Sequence, residues 1–135
     1  RSYVFSTAPP PALAEAVRES VDRIAAAHDA RERVVAHAER LRTGLRAQGW
    51  TVPDGRTPIV PVIVGSAART MECSARLLEL GYFVQGIRPP TVPLGTSRLR
   101  VVPTAAHSDA QVGGLLEAFA ELGRRRPARP QPPAQ

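Results

Sequence analysis

The sequence predicts an α+β fold, in which a short, mostly antiparallel sheet has helices packed on one side. Apolar residues recur at helical spacing in four segments, and three shorter segments show the alternating or continuously apolar pattern of strands. Their order is helix–helix–strand–helix–strand–strand–helix, without an internal repeat. The chain has 135 residues, 43% of them hydrophobic, which is enough for one small layered domain.

The N-terminal part is predicted to contain an extended segment, residues 2–7, followed by two helices. Pro9, Pro10 and Pro11 end the extended segment and favour a helix start. The apolar stripe of the first helix is Leu13, Val17, Val21 and Ile24. The stripe of the second, which begins near Asp29 and ends before Gly49, is Val34, Ala38, Leu41 and Leu45. The pattern leaves open whether the two helices are continuous.

The rest of the chain is predicted to contain three strands, two helices and a tail. Strands are predicted at residues 59–64, 82–87 and 97–102, and the first of them is apolar enough to be buried, or nearly buried, on both faces. Pro61 within it favours either an edge position or an irregular position in the ladder. Helices are predicted at residues 67–80 and after Ser108, which caps the last one. Residues 124–135 contain too little apolar surface to order themselves and are predicted to form a disordered tail.

Composition restricts the chemistry that this chain can perform by itself. The net charge is +6, and all 18 basic residues are arginine, so the chain has no lysine. A Schiff base with an aldehyde cofactor needs a lysine amine, and this chain therefore cannot hold such a cofactor covalently. The single cysteine, Cys73, excludes an internal disulfide. The abrupt start at Arg1, without an initiator methionine or a signal-peptide pattern, suggests a piece of a longer protein.

Arg88 is the binding residue that the chemistry singles out. It follows a predicted strand and precedes Pro89 and Pro90, which fix their own φ and restrict the residue before them. A guanidinium on so stiff a backbone suits bidentate recognition of a carboxylate or phosphate, and Thr91 could add a hydroxyl donor. The alternative, on these grounds alone, is a solvated loop arginine beside a turn threonine.

Four other polar residues are weaker candidates. Ser6 and Thr7 precede the first helix, where backbone N–H groups favour anions, or they form a plain helix-cap region. Arg98 and Arg100 share one face of a predicted strand, and they either add positive potential to a site or face solvent. No metal site is predicted, because no histidine pair has a ligand spacing with a second donor nearby.

Three motifs together resemble a known family. They are Gly86-Ile87-Arg88-Pro89-Pro90-Thr91-Val92-Pro93, Gly95-Thr96-Ser97-Arg98-Leu99-Arg100 and Thr104-Ala105-Ala106-His107. On these motifs, residues 1–122 resemble the C-terminal domain of the α-oxoamine synthases, which are fold-type-I pyridoxal-phosphate enzymes, and among them the 8-amino-7-oxononanoate synthases. Glycine C-acetyltransferases share the last two motifs but usually differ in the first, and they or 5-aminolevulinate synthases are the alternative.

The resemblance implies a larger enzyme, of which this chain is a part that is inactive alone. That enzyme would be a cytoplasmic, homodimeric acyltransferase of biotin biosynthesis, dependent on pyridoxal phosphate. It would condense L-alanine with a pimeloyl thioester of coenzyme A or of acyl-carrier protein, with loss of CO2. Arg88 would hold the alanine carboxylate, Thr91 would lie in the same pocket, and Thr7 with Ser6 would approach the cofactor phosphate of the partner subunit.

The resemblance also implies a division of this chain. Residues 1–12 would leave the large cofactor domain, residues 13–123 would form the small C-terminal domain, and residues 124–135 the tail. The Schiff-base lysine and the other main cofactor ligands would belong to the large domain. A second hypothesis is a basic module that binds nucleic acid or an acidic partner through the arginines of the tail. The tail lacks interleaved aromatic residues, so nucleic acid is not an expected partner. The chain has no run of 18 apolar residues, so a membrane is not an expected partner either.

Overall fold

The computed structural model describes residues 8–124 and confirms the predicted element order. Residues 1–7 and 125–135 are not described, so the predicted first strand, Ser6, Thr7 and nearly all of the predicted tail lie outside the described residues. The elements are α1 Pro11–Ala26, α2 His28–Ala47, β1 Val60–Gly65, α3 Ala67–Glu79, β2 Gln85–Ile87, β3 Ser97–Val101 and α4 Asp109–Arg124. The α+β class is therefore confirmed, while the division at residues 12 and 123 stays a prediction.

The chain divides into two compact units, residues 1–32 and 33–135. In the first unit, α1 begins at Pro11, whose fixed φ suits the first helical position and whose missing N–H is no loss there. The helix ends at Ala26, because Ala27 takes the non-helical angles φ −83° and ψ 55°. The two N-terminal helices are therefore separate. Along α1, a hydrogen bond from Arg18 holds the pKa of the Glu15 carboxyl below its usual value.

The second unit is built on a three-stranded antiparallel sheet with the strand order β1-β3-β2. β3 is central, and its Leu99 lies opposite Val62 of β1 on one side and Gly86 of β2 on the other. β1 is an edge strand of this sheet, which accommodates Pro61 as predicted, since an edge position does not require every N–H in the ladder. The antiparallel sheet is thus confirmed, and the two strands that flank the proline-rich loop are neighbours in it.

The hydrophobic core lies between one face of the sheet and three helices. Alternate residues of β1 and β3, namely Val60, Val62, Leu99 and Val101, are at most 3% exposed. Side chains of α2, α3 and α4 join the same buried cluster, which includes Cys73. The ring of the fully buried Phe119 on α4 meets the ring of Trp50 edge-on, with centroids 5.5 Å apart. The helices therefore cover one side of the sheet, as predicted.

The other face of the sheet is only partly covered. Pro61 and Ile63 of β1 are half-buried on this side, together with Ile87 of β2 and Arg98 of β3. The prediction that the first strand is buried on both faces is therefore wrong for one face. The physical reason is that α2, α3 and α4 all contribute to the cluster on the opposite side.

The second strand is shorter than predicted, because its first residues complete the end of α3. Gly81 adopts a positive φ of 88°, and the backbone N–H of Tyr82 donates to the carbonyl of Leu77 at 2.8 Å. This pattern satisfies the last carbonyls of the helix, as a glycine after a helix commonly does. Val84 is buried before the ladder begins at Gln85. The strand therefore spans residues 85–87 rather than 82–87.

Two arginines tie the helices to their surroundings in the second unit. Arg76 on α3 donates to Glu121 on α4 at 2.8 Å and to Glu79 at 2.7 Å, and these carboxylates raise the pKa of Arg76, Glu121 having the larger effect. Arg42 on α2 is 3% exposed and donates to the backbone carbonyls of Thr57 and Ile59.

Among residues 8–124, no helix combines the length and the hydrophobicity that a membrane crossing requires.

Candidate functional site

Arg88 lies immediately after β2, at one end of the sheet. Its carbonyl accepts a hydrogen bond from the backbone N–H of Thr91 at 3.1 Å, which closes a turn over Pro89 and Pro90. The two prolines fix their own φ angles, so the turn holds the backbone of Arg88 in place relative to β2. Arg88 and Thr91 are both exposed. The structure therefore brings the two predicted substrate-binding residues together on one short, backbone-closed turn.

The side chains of Arg88 and Thr91 are available to a ligand. Among residues 8–124, neither the Arg88 guanidinium nor the Thr91 hydroxyl has a hydrogen-bond or ion-pair partner. Arg42, by contrast, is buried and bonded to two carbonyls of its own chain. An unpaired guanidinium keeps all five N–H donors, which suits a planar carboxylate or a phosphate.

Arg98 and Arg100 lie on the partly covered face of the sheet, next to β2. In the register of the two strands, Ile87 is opposite Arg98 and Gln85 is opposite Arg100. Arg98 donates to the carbonyl of Thr96 at 2.9 Å, and Arg100 donates to the side-chain oxygen of Gln85. Since Arg88 directly follows Ile87, three arginines originate from neighbouring positions of β2 and β3. Arg98 is at the same end of β2 as Arg88, and the two charges make this end of the sheet favourable for an anion, whereas Arg100 is opposite the start of β2.

The loop between β2 and β3 is also fixed at its far end. The hydroxyl and the backbone N–H of Thr96 both donate to the carbonyl of Pro93, at 2.8 and 3.2 Å. Gly65 at the end of β1 has a φ of 90°, and a Cβ there would approach the carbonyl oxygen of Gly95 to 3.4 Å. This close approach of the two backbones favours glycine at position 65. The loop that carries Arg88 and Thr91 is thus anchored at both of its ends.

A second polar cluster was not singled out by the sequence. His37 on α2 is 5% exposed, and its Nε2 donates to the carbonyl of His107 at 3.0 Å. Arg33 and Arg40 lie on the same side of α2 and, together with His37, line a pocket of about 460 Å³ at the start of α4. The sequence predicted no metal site at any histidine and gave His37 no other role. The spacing of Arg33, His37 and Arg40 on one helix face was the signal that could have revealed the cluster.

An aldehyde cofactor that needs a Schiff base has no anchoring side chain in this chain, because the sequence contains no lysine. Ser6 and Thr7, the predicted contacts to a cofactor phosphate, lie outside the described residues, and their assignment stays a prediction. The described residues provide arginines and a hydroxyl, which bind anions. They therefore fit the binding of a charged substrate and do not fit the covalent anchoring of a cofactor.

Residues 1–119 match the family described as aminotransferase class I and II. The chain is similar to the 8-amino-7-oxononanoate synthase of Anaeromyxobacter dehalogenans, with 46% identity over 134 residues that cover 99% of this chain and 34% of the relative. Other matched synthases are covered to a similar degree, 31% and 32% of their length. The chain thus spans about a third of the length of the curated relatives it matches.

Two solved structures share the fold. A serine palmitoyltransferase variant from S. paucimobilis, with bound PLP and myriocin, has a TM-score of 0.78 and 31% identity, over 90% of this chain and 31% of that chain. An 8-amino-7-oxononanoate synthase from Francisella tularensis has a TM-score of 0.76 and 21% identity, over 93% of this chain and 36% of that chain. At 21% identity, the similarity to the second structure shows a shared fold and nothing further.

Proposed function

The chain belongs to the aminotransferase class I and II family, and from that premise we propose that it is the C-terminal part of a pyridoxal-phosphate-dependent acyltransferase of biotin biosynthesis. The parent enzyme would condense L-alanine with a pimeloyl thioester, with loss of CO2, to form 8-amino-7-oxononanoate. The observation that carries the proposal is the 46% identity to an 8-amino-7-oxononanoate synthase across 99% of this chain. Because the chain covers 34% of that relative, the activity is assigned to the parent.

Within the parent, Arg88 is proposed to bind the carboxylate of the alanine substrate. Its exposure and its lack of partners among residues 8–124 support this role, as does the closed turn that holds its backbone. Thr91 lies on the same turn, and its hydroxyl is proposed to donate to the same anion. Two donors of different kinds on one stiff turn bind a carboxylate in a defined orientation. Ser6 and Thr7 are proposed to approach the cofactor phosphate.

This chain would contribute binding and orientation rather than the reactive group. When bound to the parent, pyridoxal phosphate supplies an electron sink for the charge that develops at the alanine Cα. Arg88 would hold the carboxylate and so set the direction of the remaining substituents at that carbon. The positive charge of Arg98 would strengthen the attraction of the anionic substrate to this end of the sheet, and Arg100, opposite the start of β2, would add positive potential from farther away. The parent is further proposed to be a cytoplasmic homodimer.

The role of Arg88 is tested in the parent enzyme with the Arg88→Gln variant and a matched Arg56→Gln control, since Arg56 is an exposed loop arginine. The dissociation constant for L-alanine is measured from the alanine-dependent change in cofactor absorbance. We expect a rise of about tenfold or more for Arg88→Gln, because a charge-assisted pair contributes about 1.5–3 kcal/mol. The control should bind alanine normally. An unchanged alanine affinity in Arg88→Gln would remove this residue from the substrate site.

The substrate class is tested by product analysis of the parent enzyme. The enzyme is supplied with alanine and pimeloyl-coenzyme A, with alanine and pimeloyl-acyl-carrier protein, and with glycine and acetyl- or succinyl-coenzyme A. Mass spectrometry should identify 8-amino-7-oxononanoate from one or both pimeloyl donors. A product formed only from glycine would replace the proposal by the glycine C-acetyltransferase or 5-aminolevulinate synthase alternative.

A further inference from the structure

A basic pocket lies where α2 meets the start of α4, away from the turn that carries Arg88. It has a volume of about 460 Å³. From α2 it is lined by Arg33, His37 and Arg40, which are spaced by four and three residues and so lie on one face of the helix. Ala36 lies on this face too and leaves room between the longer side chains. Two arginines thus border a space that no side chain of α2 fills.

The opposite wall of the pocket is the N-terminus of α4. Ser108 caps this helix, because its Oγ accepts from the backbone N–H of Gln111 at 3.2 Å, and Gln111 Oε1 accepts from the backbone N–H of Ser108 at 2.8 Å. The amides of the first helical residues, Asp109 and Ala110, have no carbonyl of their own helix to bond to, and Asp109 is the one of the two that lines the pocket. These amides and the helix dipole favour negative charge at this end.

The basic side chains of the pocket are only partly used by their protein contacts. Arg33 has one long contact, from Nη1 to the carbonyl of Ala105 at 3.5 Å. Arg40 donates through Nη1 to the backbone oxygen and to Oδ1 of Asp109, both at 3.3 Å. His37 donates through Nε2, while its Nδ1 is 3.8 Å from Asp109 Oδ1, beyond hydrogen-bond distance. Most of the guanidinium donors therefore remain available.

The charges of the pocket identify the class of its ligand. Arg33 and Arg40 contribute two positive charges, the helix N-terminus adds a partial one, and Asp109 is the carboxylate that opposes them. From this balance we propose that the pocket binds a phosphate group, either free or as a monoester. A phosphate presents several oxygens to donors from different directions, so guanidinium groups on one wall and helix amides on the other can bind it together.

The pocket is separate from the proposed alanine site. Arg88 follows Ile87, which pairs with Arg98 near the beginning of β3, whereas His107 and Ser108 follow the end of β3 at Val101. The two sites therefore lie toward opposite ends of β3, a strand of 5 residues that spans on the order of 15 Å. A ligand in the basic pocket would not occupy the place of the alanine carboxylate.

Binding is tested with the full 135-residue chain and inorganic phosphate as the probe. Phosphate is titrated while the backbone amide signals of residues 108–110 and the ring signals of His37 are followed by NMR. We expect a saturable shift of these signals. In the double variant Arg33→Gln/Arg40→Gln the dissociation constant should rise about tenfold or more, since each lost charge-assisted contact weakens binding several-fold. Arg56→Gln, which removes one positive charge outside the pocket, should bind as the unchanged chain does.

A second variant keeps the test decisive if the double variant folds poorly. Asp109→Asn removes the carboxylate that opposes an anion, and we expect phosphate to bind several-fold more tightly, which a loss of structure cannot produce. Absence of a saturable shift in the unchanged chain would overturn the proposal. So would equal affinity of the unchanged chain and the double variant, or weaker binding by Asp109→Asn.

Two ligands could supply the phosphate group that the pocket binds. They are free phosphate and coenzyme A, through its 3′-phosphate. The second source rests on the proposed function, in which coenzyme A is a possible thiol carrier. Coenzyme A and 3′-dephospho-coenzyme A are therefore titrated in parallel. Tighter binding of coenzyme A, by about tenfold, would assign the pocket to its 3′-phosphate, whereas equal binding of the two would assign it to free phosphate. Because alanine is absent from this experiment, its failure leaves the proposed function of Arg88 untouched.

Discussion

At the residue scale, the arginines of this chain differ by the bonds that they already make. Arg42 is buried and donates to two backbone carbonyls, so it holds the protein together. Arg88 is exposed and has no partner among residues 8–124, which makes its donors available to a substrate. The sequence could predict Arg88, because the prolines that stiffen its backbone are its immediate neighbours. It could not distinguish the roles of Arg33 and Arg40, whose contacts are 72 and 69 residues away.

The hydroxyl of Thr91 provides a prediction at this scale. Thr91→Val removes the hydroxyl but retains the branched shape and the backbone N–H that bonds to the carbonyl of Arg88. We expect the parent enzyme to bind alanine about threefold to tenfold more weakly, because one neutral hydrogen bond contributes about 0.5–1.5 kcal/mol. The dissociation constant is measured by alanine titration, with Thr57→Val as the matched control on an exposed loop. Equal affinities of Thr91→Val and the unchanged parent would exclude the hydroxyl from the site.

At the element scale, side chains of α2 reach two different parts of the second unit. Arg42 bonds to residues 57 and 59, which precede β1, and His37 and Arg40 bond to residues 107 and 109, which precede or begin α4. The helix therefore positions both the first strand and the last helix. The periodicity of its apolar residues predicted the helix, and its core side Ala38, Leu41 and Leu45, correctly. Its polar contacts could not be predicted, since they depend on which loops fold back onto it.

The contact between α2 and the segment before β1 provides a stability prediction. Arg42→Met keeps much of the apolar stem but removes the donors to Thr57 and Ile59, leaving two carbonyls without these partners. We expect the free energy of unfolding to fall by about 1–3 kcal/mol. Urea unfolding followed by circular dichroism measures this, and Arg56→Met, a change at an exposed loop arginine, should alter stability by less than about 0.5 kcal/mol. A similar effect of the two substitutions would show that the buried contact contributes nothing specific.

At the scale of the whole molecule, the second unit has its own buried core, and no side chain of this protein carries a primary amine. The core lies on one face of the sheet, and the chain covers about a third of its curated relatives. The absence of lysine can be read directly from the sequence, because composition does not depend on the fold. It follows that the cofactor chemistry proposed for the parent requires residues outside this chain.

The missing lysine leads to a labelling prediction. When the 135-residue chain is treated with pyridoxal phosphate and then borohydride, we expect no reduced adduct on any side chain, because none carries a primary amine. Peptide mass mapping checks this and separates the side chains from the α-amino group of Arg1. The parent enzyme, treated in the same way, should carry the adduct on a lysine outside this chain. An internal adduct in the 135-residue chain would contradict the assignment.

The sequence by itself determined the element order, the α+β class, the absence of a Schiff-base lysine and the proline-stiffened loop that carries Arg88 and Thr91. These features depend on periodicity, composition or immediate neighbours, all of which are local. The tertiary structure alone decided that β3 lies between β1 and β2, that one face of the sheet remains partly uncovered, and that Arg33, His37 and Arg40 meet the start of α4. Those features depend on contacts between distant segments, and no local pattern specifies which distant segments pack together.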